Sequence, residues 1–442
     1  MPLREGKSVW VYYALCRRLV DRKAVIWYRD QTHYLFVKTG VFKAPPDFPS
    51  SYFRTFVWTL VDSDESLDGA PPRLLTPGTR LYVIYVTSPR KERWSRMRKT
   101  TRGVKIIMNP WSKKEIDFAW VSCQLCTQFL MFKIPSASIY STSPSKYELI
   151  NLLYDRLGPT PRLCLDFLED KYQREEYEEE LEKAISNVTP ESLEALFDAA
   201  GTLEMDKLSH KICMIRRKSL ENVAGRVIVE PITPYIRSKL VYQFRILERR
   251  DQVRLYKRFA KTPDSRALAG IAFEAAGQAM LQDGIDLTLV PMVHLPKSSD
   301  RRPQWHSSHV LLRDVALEKL RKGALKQPIN IQVRPDGIFE YTDNGPLSIE
   351  PNVFYVPSIS NQVAFDAFIL LNGIIYLFQF TIGEHHDIKP GLKDFLNTCS
   401  DIPAVENWRF VFIVPPNHTL ICPQPWFHEI RGIPVYSAVI TV

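Results

Sequence analysis

The feature that most constrains this chain lies near its carboxyl end, where two apolar runs, 363–371 and 374–382, flank the dipeptide Asn372-Gly373. Both loop residues tolerate positive φ, so the pattern predicts a tight β-hairpin. A two-residue loop sets the register: Leu371 faces Ile374, and counting back places Asp366 opposite Gln379. Directly opposed side chains share one face of a sheet, with Cβ atoms about 5 Å apart. Thr381, two residues beyond Gln379, projects on the same face, while Phe365, Ala367, Phe378 and Phe380 are expected on the other. A carboxylate inside so apolar a hairpin needs a partner, because isolated burial is costly. Two arrangements meet that need. Asp366 and Gln379 can hydrogen-bond to each other, or their oxygens can hold a hard cation such as Mg²⁺, which would polarise a phosphodiester and activate a water.

The remaining pattern is α/β. In the N-terminal half a helix is predicted to open at Ser8 and run to 20. Short strands follow at 23–28, 34–38, 56–61 and 81–87. The last is a continuous apolar run suited to a strand buried on both faces, and the order suggests parallel strands. From about 113 to 215 the pattern is helical, and the charged run 169–183 reads as a solvated helix face. Pro231 and Pro234 mark a boundary within 218–240, giving domains at 1–225 and 226–442. The second domain is predicted to hold a helix at 265–281 and strands near 287–294, 329–333 and 338–342, with a Pro335-Asp336-Gly337 turn before the last. After the hairpin come a helix near 389–399 and a strand at 408–414.

A formal charge of +9 and pI near 9.0 favour acidic partners, nucleic acid first and anionic membrane second, though an ordinary basic surface has the same composition. Seven irregularly spaced Cys are no disulfide framework. Cys123 and Cys126 have zinc-knuckle spacing, but no second pair follows nearby, so two buried thiols are expected. No run approaches the ~18 apolar residues of a membrane span, and the N-terminus lacks the apolar core of a signal peptide. A reducing nuclear or cytoplasmic setting is the expectation.

Gly6-Lys7-Ser8 stands directly before the first helix, as the end of a phosphate-binding loop would. Its first glycine would fall at Met1, and no strand precedes it, so the expectation is a truncated loop with weak ATP binding. The apolar segment Val57–Val61 ends in Asp62, the form of a Mg²⁺-binding strand end, and equally that of a strand running into an acidic turn. The basic run Arg90–Lys105 suits phosphates or plain solvent.

Taken in order, GKS before a helix, LVDSD, TSPR at 87–90, NPWS at 109–112 and LGPTPR at 157–162 resemble the NTPase module of Crinkler effectors and retrotransposon hot spot proteins. The resemblance covers roughly the first half of the chain and implies nucleotide-binding roles for Gly6, Lys7, Ser8 and Asp62. The second half resembles the PD-(D/E)xK nuclease core, in which a helix bearing a Glu precedes a hairpin carrying an Asp and an (E/Q)-x-K tripeptide. That resemblance implies catalytic roles for Glu274, Asp366, Gln379 and Thr381, with Asp366 and Gln379 on the metal. Thr381 stands where Lys would be, and His385, His386 and Lys389 are alternative sources of positive charge. The implied function is nucleic-acid-directed, with Mg²⁺-dependent DNA cleavage. The alternative is a catalytically inactive nucleic-acid-binding protein. For a delivered effector the site of action would be a host nucleus.

Overall fold

The structure, a computed structural model, describes residues 6–442 apart from 30, 46–47, 49–52, 63–69, 77, 88–96, 98–102, 105, 121–143, 196–208, 219–226, 296–302, 308–326, 342–346, 358–363, 390, 393–394, 396–398, 401 and 424–431. Cys123, Cys126 and nearly all of Arg90–Lys105 therefore lie outside the described residues. The chain divides into two compact units, Met1–Thr233 and Pro234–Val442. The break thus falls at 233/234 and not at 225/226. Strand Val227–Pro231 pairs with Cys213–Arg217 within the first unit, while 234–240, in the stretch expected to hold the boundary, opens a helix.

In the first unit, helix α1 (Gly6–Val20) buries Val11, Ala14 and Leu15 against a five-stranded sheet. Its strands are β1 (Val25–Arg29), β2 (Thr32–Val37), β3 (Gly40–Ala44), β4 (Val57–Asp62) and β5 (Leu81–Val86), in spatial order β3-β2-β1-β4-β5. Only β1, β4 and β5 are parallel. β1, β2 and β3 form an antiparallel meander, because two-residue connections are too short for a crossover. β3 was not anticipated. Nor is β5 buried on both faces: it is the edge strand, and Tyr82 is 57% exposed. An edge strand with an apolar outer face reads in sequence like a central one.

The direction of α1 positions its start. Arg18, near its end, lies over the Trp58 ring at the beginning of β4, at 4.7 Å. Arg29, ending β1, donates to the Tyr12 hydroxyl in the helix's first half. The helix therefore runs antiparallel to the parallel strands, and its N-terminus lies where β1, β4 and β5 finish.

The helical stretch beyond has clear local causes. Helix α2 (113–120) opens on a reciprocal cap: Ser112 N–H donates to the Glu115 carboxylate at 2.7 Å, and Glu115 N–H to the Ser112 hydroxyl at 3.3 Å. Helices α3 (Pro144–Leu157) and α4 (Lys171–Ser186) follow, and Asp170 caps α4 by accepting from Gln173 N–H at 2.9 Å. The helical region does not reach 215, since β6 (Cys213–Arg217) and β7 (Val227–Pro231) form an antiparallel pair.

The second unit begins with helices α5 (Pro234–Arg245), α6 (Arg249–Ala260) and α7 (Arg266–Asp283). Its main sheet comprises β8 (Ile285–Pro291), β9 (Ile329–Val333), β10 (Gly337–Tyr341), β11 (Val353–Pro357), β12 (Ala367–Leu371), β13 (Ile374–Phe380), β14 (Trp408–Val414) and β15 (Val435–Val439). The spatial order is β9-β8-β15-β14-β13-β12-β11-β10. β11, β12 and β13 form an antiparallel meander, and β14 and β15 continue parallel to β13. The turn expected at 335–337 is present, but β9 and β10 on either side of it occupy opposite edges of the sheet. Leu392 and Phe395, from the helix expected at 389–399, are helical and buried, whereas Cys399 lies in a short strand with Leu347–Ser348. β11 and β15 were not anticipated: each is only five residues long, too short to show a clear period, and Ser437 interrupts β15.

The sheet is apolar on both faces. Phe365, Phe368, Leu377, Phe395 and Phe412 pack on one side; Phe273, Ala276, Phe378, Val411 and Tyr436 pack on the other. Each such aromatic contributes on the order of 1.5–3 kcal/mol of burial. Helix α7 closes on β13 through Gly277, where an added Cβ would stand 2.3 Å from the buried Phe380 ring. Helix propensity alone would make Gly277→Ala favourable by about 1 kcal/mol. Overpacking against a rigid ring should win, giving a net loss of about 1–3 kcal/mol in urea unfolding. Adding Phe380→Leu should restore most of it, and an unaltered midpoint for the single variant would refute the close approach.

Candidate functional site

The hairpin register is the predicted one: Leu371 pairs with Ile374 and Ala367 with Phe378, which leaves Asp366 opposite Gln379 just before the start of β12. Asn372 (φ 51°) and Gly373 (φ 74°) both adopt the left-handed conformation that makes this two-residue turn possible. The Asp366 carboxylate accepts two hydrogen bonds on Oδ2, from the Gln379 amide at 2.5 Å and from the Phe380 main-chain N–H at 2.8 Å. Gln379 projects on the face of Ile375 and Leu377. Phe365 does not alternate as expected. The chain bends before β12, and Phe365 packs beside Phe368 and Phe395 on that same face.

Helix α7 approaches from the other face. Its Gln278 donates to the Asp366 main-chain oxygen at 3.1 Å, and one turn earlier Glu274 points to the same rim, 5% exposed. Glu274 is ion-paired with Arg237 of α5. Asp366 and Glu274 thus meet at the sheet rim, each close enough to Arg237 to feel its charge.

Electrostatics set the character of this rim. Burial pushes the Glu274 carboxyl up to about 7, aided by the negative charge of Asp366 and opposed by Arg237 and His386. Burial also raises Asp366, while Arg237, Phe380 N–H, Gln379 and Lys389 pull it back. Burial lowers His386, whose ring lies edge-on to Phe412 at 5.7 Å. The charges of Arg237 and Lys389 therefore do not offset the burial of the two carboxylates.

Thr381 lies beyond the end of β13, and its hydroxyl accepts from Gly383 N–H at 3.0 Å, so it serves the turn. His385 is exposed in a bridge to Ile421. Arg237 and Gln278 escaped the sequence reading. Gln278 was findable, four residues after Glu274 on one helix face; nothing near Arg237 in sequence marks it.

In the first unit, Asp62 ends β4 at the sheet end where α1 begins, so Gly6 and Asp62 are brought to one end of the sheet. The side chains of Lys7 and Ser8 lie outside the described residues.

Against known proteins, the family model described as retrotransposon hot spot protein, P-loop domain, matches residues 58–290, more than half of the chain. The chain belongs to the retrotransposon hot spot protein family. In this hot spot family protein the matched segment includes Asp62 and Glu274, begins after Lys7 and Ser8, and ends before Asp366. Crinkler effector protein 16 of Phytophthora infestans is 23% identical over 421 residues, covering 93% of this chain and 57% of its own length. Crinkler effector protein 15 of the same organism is 23% identical over 433 residues, with the same coverage. The chain therefore spans little more than half the length of these relatives. No solved structure matches it. No helix among the described residues is long and apolar enough to cross a membrane.

Proposed function

We propose that the second unit is a PD-(D/E)xK-type phosphodiesterase acting on nucleic acid, within a protein that works as an effector like the Crinkler relatives. The observation that carries this reading is the rim itself: a helix Glu, an Asp at the start of a hairpin strand and a Gln on its partner strand. They sit within a helix, three-stranded meander and parallel-strand order, α7–β11–β12–β13–β14. Among the described residues no three acidic, His or Cys side chains form a metal cluster. The donor chemistry nonetheless fits a hard divalent cation. Two carboxylates and an amide supply oxygens, the carboxylates are under-compensated, and the buried Gln278 Oε1 beside them has no hydrogen-bond partner among the described residues. Asp366 and Gln379 would hold Mg²⁺, which supplies charge for the phosphodiester oxygen and a more acidic water.

The chain's own residues do the rest. Phe380 N–H holds the Asp366 carboxylate in place. Arg237, its side chain 38% exposed, offers further guanidinium donors beyond the Glu274 bond and takes over the charge-neutralising part of the absent Lys. It cannot take a proton from water, and Glu274, titrating near 7, is the group able to do so.

A second reading, nucleic-acid binding without cleavage, is favoured by the engagement of Asp366 Oδ2 with two N–H donors and of the Thr381 hydroxyl with Gly383. Incubation of purified protein with supercoiled plasmid and Mg²⁺, with and without EDTA, separates the two. Nicking that EDTA stops supports the first; binding without nicking supports the second.

For the first unit we propose nucleotide binding at the shared end of α1 and β4, with Lys7 on the phosphates and Asp62 toward Mg²⁺. Lys7→Ala should weaken ATP binding at least tenfold in equilibrium titration, and an unchanged affinity would remove Lys7 from the site.

A further inference from the structure

The proposed site accounts for α7 and the hairpin but leaves α6 unexplained. Within Arg249–Ala260 stand five basic residues and one acid, Asp251. Arg250, Arg254, Lys257 and the following Lys261 are all exposed. Their spacing, i, i+4, i+7 and i+11, places them on one stripe of the helix about 16 Å long. Only Arg254 of the four is paired with that acid, at 3.2 Å.

The opposite side of α6 is committed to the fold. Leu255 and Phe259 are buried, and the Gln252 amide donates to the carbonyls of Phe244, Arg245 and Leu247 at the end of α5. Arg249 donates to the Ala276 carbonyl of α7 at 3.0 Å. The stripe is therefore held rigidly. At its far end the chain turns through a short helical turn into α7. There the exposed Arg266 donates to the Ile382 carbonyl at 2.8 Å, next to Thr381. A line of positive charge thus leads along α6 to the hairpin end that carries Gln379.

We infer that this face of α6 is the track for a nucleic-acid phosphate backbone, delivering the strand to the Glu274–Asp366 rim. The inference rests on the nucleic-acid reading of the second unit. Charge complementarity names the partner: one phosphate per ~3.4 Å along a strand matches about four to five phosphates to the stripe. A membrane surface fits less well, since α6 keeps its apolar side inside the unit and has none to insert.

The test measures affinity of the full chain for a 20-base-pair duplex in EDTA at several salt concentrations. R250Q/K257Q/K261Q should reduce the log–log salt slope by two to three, at about 0.9 for each phosphate no longer neutralised, and weaken binding at least tenfold. K38Q/K43Q/K218Q, an equal charge change on exposed lysines of the first unit, should leave the slope unaltered. R250K/K257R/K261R should bind like the parent, which excludes misfolding as the cause. The inference fails if the α6 variant keeps the parental slope, if the control weakens as much, or if only R93Q/R96Q/R98Q abolishes binding. It also fails if the parent binds vesicles one-third anionic in lipid but not the duplex. Because EDTA removes any need for cleavage, an inactive site would leave this result standing and defeat only the catalytic reading.

Discussion

Asp366→Ala is expected to reduce Mg²⁺-dependent plasmid nicking on the order of a thousandfold, while duplex affinity in EDTA stays close to the parent's. Asp366 is where four polar groups of the rim meet: the Gln379 amide, the Phe380 N–H and the helix residues Glu274 and Gln278. No other described residue joins both strands of the hairpin to α7 in this way. Removing the carboxylate also strands two N–H donors, at about 1–3 kcal/mol for a buried one. Asp366→Asn keeps one acceptor oxygen for them and should fold more like the parent, yet lose activity to a similar degree. Nicking at the parental rate by either folded variant would place the chemistry elsewhere.

Arg237→Ala is expected to destabilise the second unit by about 1–2 kcal/mol at pH 8, because it leaves the buried Glu274 without its counter-ion. The loss should depend on pH, with a definite sign. Glu274 titrates near 7 in the folded chain, above its ordinary value of 4.5. Between those values the folded state binds more protons than the unfolded one, so this group's contribution is fully present below 4.5 and is lost as pH rises through 7. Without Arg237 the Glu274 carboxyl moves higher still, and the damage should be smaller at pH 5 than at pH 8. Urea unfolding at the two pH values measures this. Adding Glu274→Gln should return much of the stability at pH 8. Equal losses at both pH values, or no rescue, would show that the ion pair is incidental.

How much of this was legible in the sequence depends on how local each cause is. The hairpin was fully readable, because Asn372 and Gly373 dictate the turn and the turn dictates the register. The helices at 6–20 and 266–283 were readable from their apolar spacing. The antiparallel β1–β3 meander was legible in principle from the short connections after Arg29 and Val37, but β3 is short and largely exposed and sends a weak signal. Strands β11 and β15 are too short to show a clear period, and Ser437 interrupts β15. At the rim, Asp366 and Gln379 were placed by pairing arithmetic. Arg237 arrives from a helix more than a hundred residues away in the chain, and no local pattern announces such a partner. The Phe365 misplacement has the same origin: alternation holds only while the strand stays extended, and the chain bends just before Ala367.

The placement of β9 and β10 at opposite edges of one sheet, with only Arg334, Pro335 and Asp336 between them, has a consequence for how the unit is assembled. Four peptide steps reach no further than about 14 Å, so the sheet must curl until its margins nearly meet. Every pairing in it except one joins segments fewer than about fifty residues apart; the exception sets β15 beside β8, Ser437 against Val290. That pairing carries the largest loop-closure cost and is the natural last step of folding, when the C-terminal strand slots between two halves already tethered at residues 334–336. Pulled from its C-terminus, the unit should yield there first, opening like a clasp before the rim around Asp366 is disturbed.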